Sequence, residues 1–177
     1  NKLQESGSKI IIKGNSITIN PRKLNSVNIK TAPFPGFPTD LQAPFTALMT
    51  IANGESKITE TIFENRMNHI NLLKKMGANI KLDKNVAYIK GVKTIKGMDL
   101  VASDLRSSAA LIIAGIIAKG SSKIYGLEHL DRGYENFESK LKILGIKIAR
   151  ESNKRSFNKK ECNISQDSEE IQKCKAA

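Results

Sequence analysis

Apolar positions along this chain fall into two alternating kinds of stretch. Val27 to Thr31 switches between apolar and polar residues in steps of two, the period of a half-buried strand, and Ser56 to Ile62 and Ser122 to Leu127 are strand-like stretches that each follow a glycine. The runs from Leu41 toward Gly54, from about Arg66 to Met76 and from Leu105 to Ala118 are denser and longer, which predicts helices. Ile80 to Leu82 and Val86 to Ile89 flank Asp83-Lys84-Asn85 and predict a hairpin. In order, the elements read strand, helix, strand, helix, strand, strand. Leu105 to Ala118 is apolar nearly all round, so this helix is expected to be buried on every side, inside a shell of sheets. Its purest apolar segment, Ala109 to Ala118, is ten residues long, too short to cross a bilayer.

The same order of elements occurs twice. Asp40-Leu41-Gln42 and Asp104-Leu105-Arg106 each open a helical run, Asn65-Arg66 and Asp131-Arg132 follow the next strand, and Met76-Gly77 and Leu144-Gly145 close the second helix. The offsets are 64 at Asp40/Asp104, 66 at Arg66/Arg132 and 68 at Gly77/Gly145. Leu3 to Gly7, followed by Ser8-Lys9-Ile10, echoes the end of such a unit. A fixed period of this kind marks a duplicated supersecondary unit. The expected division is 1–26 as the end of a preceding unit, 27–91 and 92–150 as two units, and 151–177 as an unmatched polar tail without apolar periodicity. The tail is expected to be disordered, with a short helix near Glu169 to Lys173. The chain is expected to be a portion of a longer protein.

Local punctuation refines this picture. Ala32 to Pro38 holds three prolines and predicts an extended loop. Thr39, with Gln42 three residues on, predicts an N-cap and capping box, and Ser103 predicts the N-cap before Leu105. Gly54 and Gly77 are expected directly past helix ends.

Composition narrows the function classes. The 177 residues carry 29 Lys and Arg against 17 Asp and Glu, a formal charge of +12, which invites a nucleic-acid partner. Only six of those cations are Arg, and Lys, Ile and Asn together account for 61 residues, an excess explained by A/T-rich codons. Trp is absent and aromatics are 5 %, leaving few platforms for stacked bases. No nucleic-acid or membrane partner is expected. Cys162 and Cys174 suit neither a disulfide framework nor a zinc site, and point to a reducing, cytoplasmic setting. His69 and His129 are isolated, so no metal and no cofactor is expected.

The candidate chemistry lies on a few charged residues. Asp40 and Asp104 sit at equivalent helix starts, where an acid either complements the helix dipole or, beside a dry loop, accepts a proton from a substrate hydroxyl. Arg66, Arg106 and Arg132 are half of all the arginines in a lysine-dominated chain. Their planar forks suit a carboxylate or phosphate ligand. The alternative is ion pairing with Glu64, Asp104 and Asp131.

Thr31-Ala32-Pro33-Phe34-Pro35-Gly36-Phe37-Pro38-Thr39-Asp40-Leu41-Gln42, Thr59 to Arg66, Asp104 to Ala109 and His129 to Glu135 together resemble the UDP-N-acetylglucosamine 1-carboxyvinyltransferase family of enolpyruvyl transferases, over about Leu3 to Arg150. The resemblance implies an α/β fold, an inside-out α/β barrel of three βαβαββ units with helices inside, of which about two are present. It implies transfer of an enolpyruvyl group from phosphoenolpyruvate to the 3′-hydroxyl of UDP-N-acetylglucosamine, with release of phosphate, in peptidoglycan synthesis. Asp40 would be ligand and base for the hydroxyl. Ile62, through its backbone, and Phe63 would contact the UDP-sugar. Arg106 and Arg132 would hold phosphoenolpyruvate, Arg66 would help form the anionic cleft, and Asp104 would orient Arg106 or assist proton transfer. The family's other domain, with its Cys or Asp loop, has no match here, so the chain alone is expected to be inactive. Two competing readings are a related enzyme, an enolpyruvylshikimate phosphate synthase or RNA 3′-phosphate cyclase, and a non-catalytic remnant or basic nucleic-acid-binding module.

Overall fold

The computed structural model of the chain describes residues 1–152 and 160–164. A short helix α1 (Lys2–Glu5) leads into a hairpin of β1 (Lys9–Lys13) and β2 (Ser16–Asn20). The next stretch holds β3 (Ile29–Lys30), α2 (Gln42–Met49), β4 (Glu55–Thr59), α3 (His69–Lys75), β5 (Asn79–Asp83) and β6 (Val86–Lys90). Then follow β7 (Asp99–Val101), α4 (Leu105–Ile117), β8 (Ser122–Tyr125), α5 (Phe137–Ile143), β9 (Ile148–Ser152) and β10 (Lys160–Ile164). One-turn 3-10 helices at Thr39–Leu41 and Leu130–Arg132 precede α2 and α5.

Two four-stranded sheets share one topology. The first runs β3-β4-β6-β5 and the second β7-β8-β10-β9. In each, the first pair is parallel and the other two are antiparallel. A parallel pair needs a crossover, and α2 and α4 supply it. The helices pack against one another, α2 on α4 and α3 on α4. α2 also touches β4 and β6, and α4 touches β8 and β10. Helices therefore lie between the two sheets, as the all-round apolar character of α4 requires. Its residues Ser107 to Ile112 are buried without interruption. Ile58, Ile89, Leu111, Ile112 and Ile124 are fully buried side chains of this shared core.

The strand at Lys160–Ile164 corrects the expected tail. β10 lies between β8 and β9, pairing Cys162 with Ile124 on one side and Arg150 on the other. It completes the second sheet, so the repeat runs through Ile164 rather than ending at residue 150. With only Cys162 and Ile164 apolar in five residues, periodicity is too sparse to announce it. Pairing on both edges supplies the backbone hydrogen bonds a lone polar strand lacks. The helix expected near Glu169 to Lys173, and Cys174, lie outside the described residues.

Three local expectations also change. Thr39 does not cap: the 3-10 turn and α2 follow Pro38 and Leu41 with no side-chain cap hydrogen bond. The Thr39 hydroxyl is engaged elsewhere, donating to Glu60 Oε2 and accepting from Arg66 Nη1. Gln42 donates instead to Thr46 Oγ1, 3.1 Å away within the core. Ser103 does not cap α4 either; Asp104 does, its carboxylate accepting from the amides of Arg106 and Ser107. Gly54 stands beyond α2, which stops at Met49. Thr50 Oγ1 donates to the Ala47 carbonyl at 2.7 Å, drawing the chain into a tighter turn. Gly54 instead has φ +107° before β4, where a Cβ would lie 2.6 Å from Ser26 Oγ. Gly77, by contrast, follows the Met76 cap of α3 directly, with φ +94°, a left-handed helix stop.

Candidate active site

The loop between β3 and α2 is fixed at both ends. Thr31 bridges to Phe37, and the Phe37 ring packs edge-on against Phe45 of α2 at 5.7 Å. This loop delivers Thr39 and Asp40 to the surface. The loop after β4, residues 60–66, lies beside it: Thr31 Oγ1 accepts from the amide of Thr61 at 2.8 Å, and Thr61 Oγ1 donates to the Thr31 carbonyl.

Asp40 is where three elements meet. Arg66 Nη1 approaches its Oδ1 at 3.2 Å. Arg106, from the first turn of α4, donates Nε and Nη2 to the same oxygen at 2.7 and 2.6 Å. The residues are 26 and 66 positions apart in sequence. Two guanidiniums repel at this distance, and the carboxylate between them offsets that repulsion. Arg106's hydrogen bond foremost holds the Asp40 carboxyl below its ordinary pKa; partial burial opposes this, and the charges of both arginines assist it. The Asp40 side chain is 68 % exposed, so a ligand reaches it from solvent. The Arg66 guanidinium lies over the Phe63 ring, 3.6 Å from its centroid, a cation–π contact that joins two of the expected substrate residues.

The alternative ion pairs Arg66–Glu64 and Arg106–Asp104 give way to this cluster. Asp104 commits its carboxylate to backbone: Oδ1 accepts from Arg106 N at 2.9 Å and Ser107 N at 3.0 Å, and Oδ2 accepts from Ser103 Oγ at 3.1 Å. Burial alone raises its pKa, but these donors together bring it below the ordinary value. Asp104 thus fixes the backbone of Arg106 while Asp40 takes its guanidinium. Asp131 pairs with Arg150 at 2.8 Å rather than with Arg132. Arg132 is exposed at the end of a 3-10 turn packed on α4. Gly133, next to it, abuts the Leu105 side chain, which a Cβ there would meet at 2.9 Å. Arg132 is thereby brought to the end of α4 that carries Arg106, without joining the Asp40 cluster. Ile62 is half-buried and Phe63 exposed, both on the loop beside Asp40.

Glu60 is the site residue that the sequence reading missed. It is 1 % exposed and accepts four hydrogen bonds: from Thr31 Oγ1 at 2.9 Å, Thr39 Oγ1 at 2.7 Å, Ile62 N at 2.8 Å and Phe63 N at 3.2 Å. Burial raises its pKa, but the donors, Thr39 first among them, outweigh it and hold the carboxyl below the ordinary value. One signal was available. Ser56, Ile58 and Glu60 alternate onto one buried face, and a carboxylate at an inward position of a strand calls for donors. His69, at the start of α3, is 2 % exposed, and burial lowers its pKa to about 4 despite the charge of Asp104. Among the described residues no group of His, Cys, Asp and Glu is arranged to hold a metal ion.

The model of the EPSP synthase (3-phosphoshikimate 1-carboxyvinyltransferase) family matches residues 1–141. A UDP-N-acetylglucosamine 1-carboxyvinyltransferase of Prochlorococcus marinus (strain MIT 9312) is 76 % identical over all 177 residues, which are 39 % of its own length. The match therefore continues through the segment after Arg150, correcting the expectation that it has no counterpart. A protein of the same name from Synechocystis sp. (strain ATCC 27184 / PCC 6803 / Kazusa) is 49 % identical over 150 residues, 84 % of this chain and 34 % of that protein. Among solved structures, the enolpyruvyl transferase NikO from Streptomyces tendae superposes with a TM-score of 0.74 at 27 % identity, covering 81 % of this chain and 34 % of its own. The chain spans about two fifths of the length of the Prochlorococcus marinus relatives that match all of it. With its duplicated sheet-and-helix units, its Asp40–Arg66–Arg106 cluster and a family match over residues 1–141, the chain belongs to the EPSP synthase family.

Proposed function

We propose that this chain forms the Asp40–Arg66–Arg106 side of the active site of a UDP-N-acetylglucosamine 1-carboxyvinyltransferase, and that it works only together with the remainder of such an enzyme. The observation that carries this reading is the convergence of two arginines from different units on one exposed carboxylate, in a chain 76 % identical to an enzyme of that name. Phosphoenolpyruvate brings a carboxylate and a phosphate. Arg106 and Arg132 hold these anionic groups, and Arg66 adds positive charge to the cleft. Asp40, kept ionised by its arginines, accepts a hydrogen bond and then the proton from the sugar 3′-hydroxyl. The hydroxyl oxygen bonds to the central enolpyruvyl carbon as its double bond opens and the methylene carbon takes up a proton. Loss of a proton from that methylene-derived carbon re-forms the double bond as the carbon–oxygen bond to phosphate breaks and phosphate leaves. Fixed positive charge stabilises the departing phosphate. Ile62 and Phe63 line the nucleotide-sugar side, and Asp104 acts through the backbone of Arg106.

Both substrates are water-soluble, and none of the described helices is long and apolar enough to cross a membrane; a cytoplasmic enzyme of peptidoglycan synthesis fits. The test is a chimaera in which this chain replaces the corresponding stretch of the MIT 9312 relative. Phosphate release from phosphoenolpyruvate should require UDP-N-acetylglucosamine and not respond to shikimate 3-phosphate. A chimaera that folds but releases phosphate only with shikimate 3-phosphate, or with neither acceptor, overturns the proposal. Family-level turnover by the isolated 177-residue chain overturns the claim that it needs the remainder.

A further inference from the structure

We infer that Glu60 is a positioning residue that sets the polarity of a hydrogen-bond relay from the protein interior to Arg66. The inference rests on the proposed function for its kinetic consequences, and on the geometry alone for its structural ones. Thr39 has one hydroxyl proton. It goes to Glu60 Oε2 at 2.7 Å, which leaves the hydroxyl lone pairs to accept from Arg66 Nη1 at 2.9 Å. Arg66 Nη1 also reaches Asp40 Oδ1 at 3.2 Å. The relay thus runs Arg66 to Thr39 to Glu60, every step with a donor facing an acceptor.

The other carboxylate oxygen serves a second purpose. Glu60 Oε1 accepts from Thr31 Oγ1 and from the amides of Ile62 and Phe63. One buried carboxylate therefore binds the Asp40 loop through Thr39, the start of that loop through Thr31, and the backbone of the proposed nucleotide-sugar contacts. Its own backbone is fixed as well: the Asn85 side chain donates to the Glu60 carbonyl at 2.6 Å, and the Glu60 amide donates to the Asn85 carbonyl at 2.9 Å. An ionised carboxylate is the side chain of this size that offers acceptors only. An amide in its place presents an NH2 to one side. If Oε1 keeps its three donors, that NH2 faces Thr39, so the hydroxyl loses the acceptor that fixed its proton, and the proton must turn out of the relay or against the Nη1 of Arg66.

Glu60→Gln is nearly isosteric, so it inverts the relay with little change in packing. In the chimaera, E60Q should lower kcat/KM for UDP-N-acetylglucosamine about 10- to 100-fold, the value of a lost charged hydrogen bond, chiefly through KM. Its thermal midpoint should move little. T39V should cause a similar loss, T39S, which keeps the hydroxyl, should lose far less, and E60Q should add nothing to T39V. An unchanged KM in E60Q, or losses of E60Q and T39V that multiply independently, overturns the inference. The second measurement needs no substrate. In the 177-residue chain, NMR-detected solvent exchange of the Arg66 guanidinium protons should accelerate about 10-fold in E60Q and T39V, and not in T39S. Unaltered exchange in E60Q overturns the relay. This arm decides the inference even where the unmodified chimaera is inactive, a result that defeats the proposed function instead.

Discussion

The two helix starts at Asp40 and Asp104 come from the same place in a duplicated unit, yet their carboxylates do different work. Asp104 turns inward on its own helix, accepting from the amides of Arg106 and Ser107, with the Ser107 hydroxyl completing a capping box. Asp40 faces outward and takes the guanidiniums of Arg66 and Arg106. The cause is local. The Asp104 backbone is extended, with φ −160° and ψ 169°, which aims its side chain at the exposed amides of the first turn. Asp40 lies within a 3-10 turn rather than in the extended backbone of a cap residue, and its side chain meets the arginines instead. Duplication thus copied a position, and backbone conformation assigned its chemistry: one unit supplies the anion and the other anchors the cation that meets it.

The sharpest test of that division is Asp40→Asn in the chimaera. Losing the proposed base should cut kcat by about 10²- to 10⁴-fold, read by phosphate release, while stability changes little because Asp40 caps nothing. A D40N enzyme retaining near-full kcat removes Asp40 from the chemistry. Arg106→Lys comes next. Lysine cannot present two N–H groups in a fixed fork, so kcat/KM for phosphoenolpyruvate should fall about 10- to 100-fold. A loss below twofold means that the paired contact is dispensable.

A third test uses the second helices. His69 begins α3, and Phe137 begins α5 at the 68-residue offset. Buried His69 has its pKa lowered to about 4, whereas the unfolded chain takes up that proton near its ordinary 6.5. The unfolded state therefore binds more protons between these values. The stability His69 contributes is complete above pH 6.5 and is lost as pH falls from 6.5 toward 4, on the order of 3 kcal/mol at most. Urea unfolding from pH 7 to pH 5 should show this slope, and H69F, which borrows the residue of the other unit, should flatten it. An equal slope in both proteins moves the effect elsewhere. Asp104→Ala is expected to have the smallest effect, about 1 kcal/mol of stability from the lost cap, measured by chemical denaturation. A change in stability no larger for D104A than for D40A erases the contrast between the two acids.

Much of this was legible before any coordinates. The alternation in Val27 to Thr31 and the apolar girth of Leu105 to Ala118 reflect burial, which local composition records directly. The motifs around Asp40, Arg66 and Arg106 marked three residues that the structure brings together. Their partners were another matter. Sequence proximity suggested Glu64 for Arg66 and Asp104 for Arg106, because neighbouring opposite charges are the pairs that a linear reading can see. The structure brings both arginines to Asp40, 26 and 66 residues away. Glu60 went unnoticed because its value lies in four donors drawn from three separate segments.

By itself, then, the sequence determined the order of elements, their duplication, the interior placement of α4 and the arginines and acids available for chemistry. These are consequences of periodicity and residue type, which act over one or two helical turns. The tertiary structure alone decided which acid caps and which one faces the cleft, that β10 closes the second sheet, and that Glu60 joins the loops around the site. Each depends on hydrogen bonds between segments far apart in the chain. Such bonds exist only after the helices have packed between the sheets and excluded the water that would otherwise satisfy the same groups.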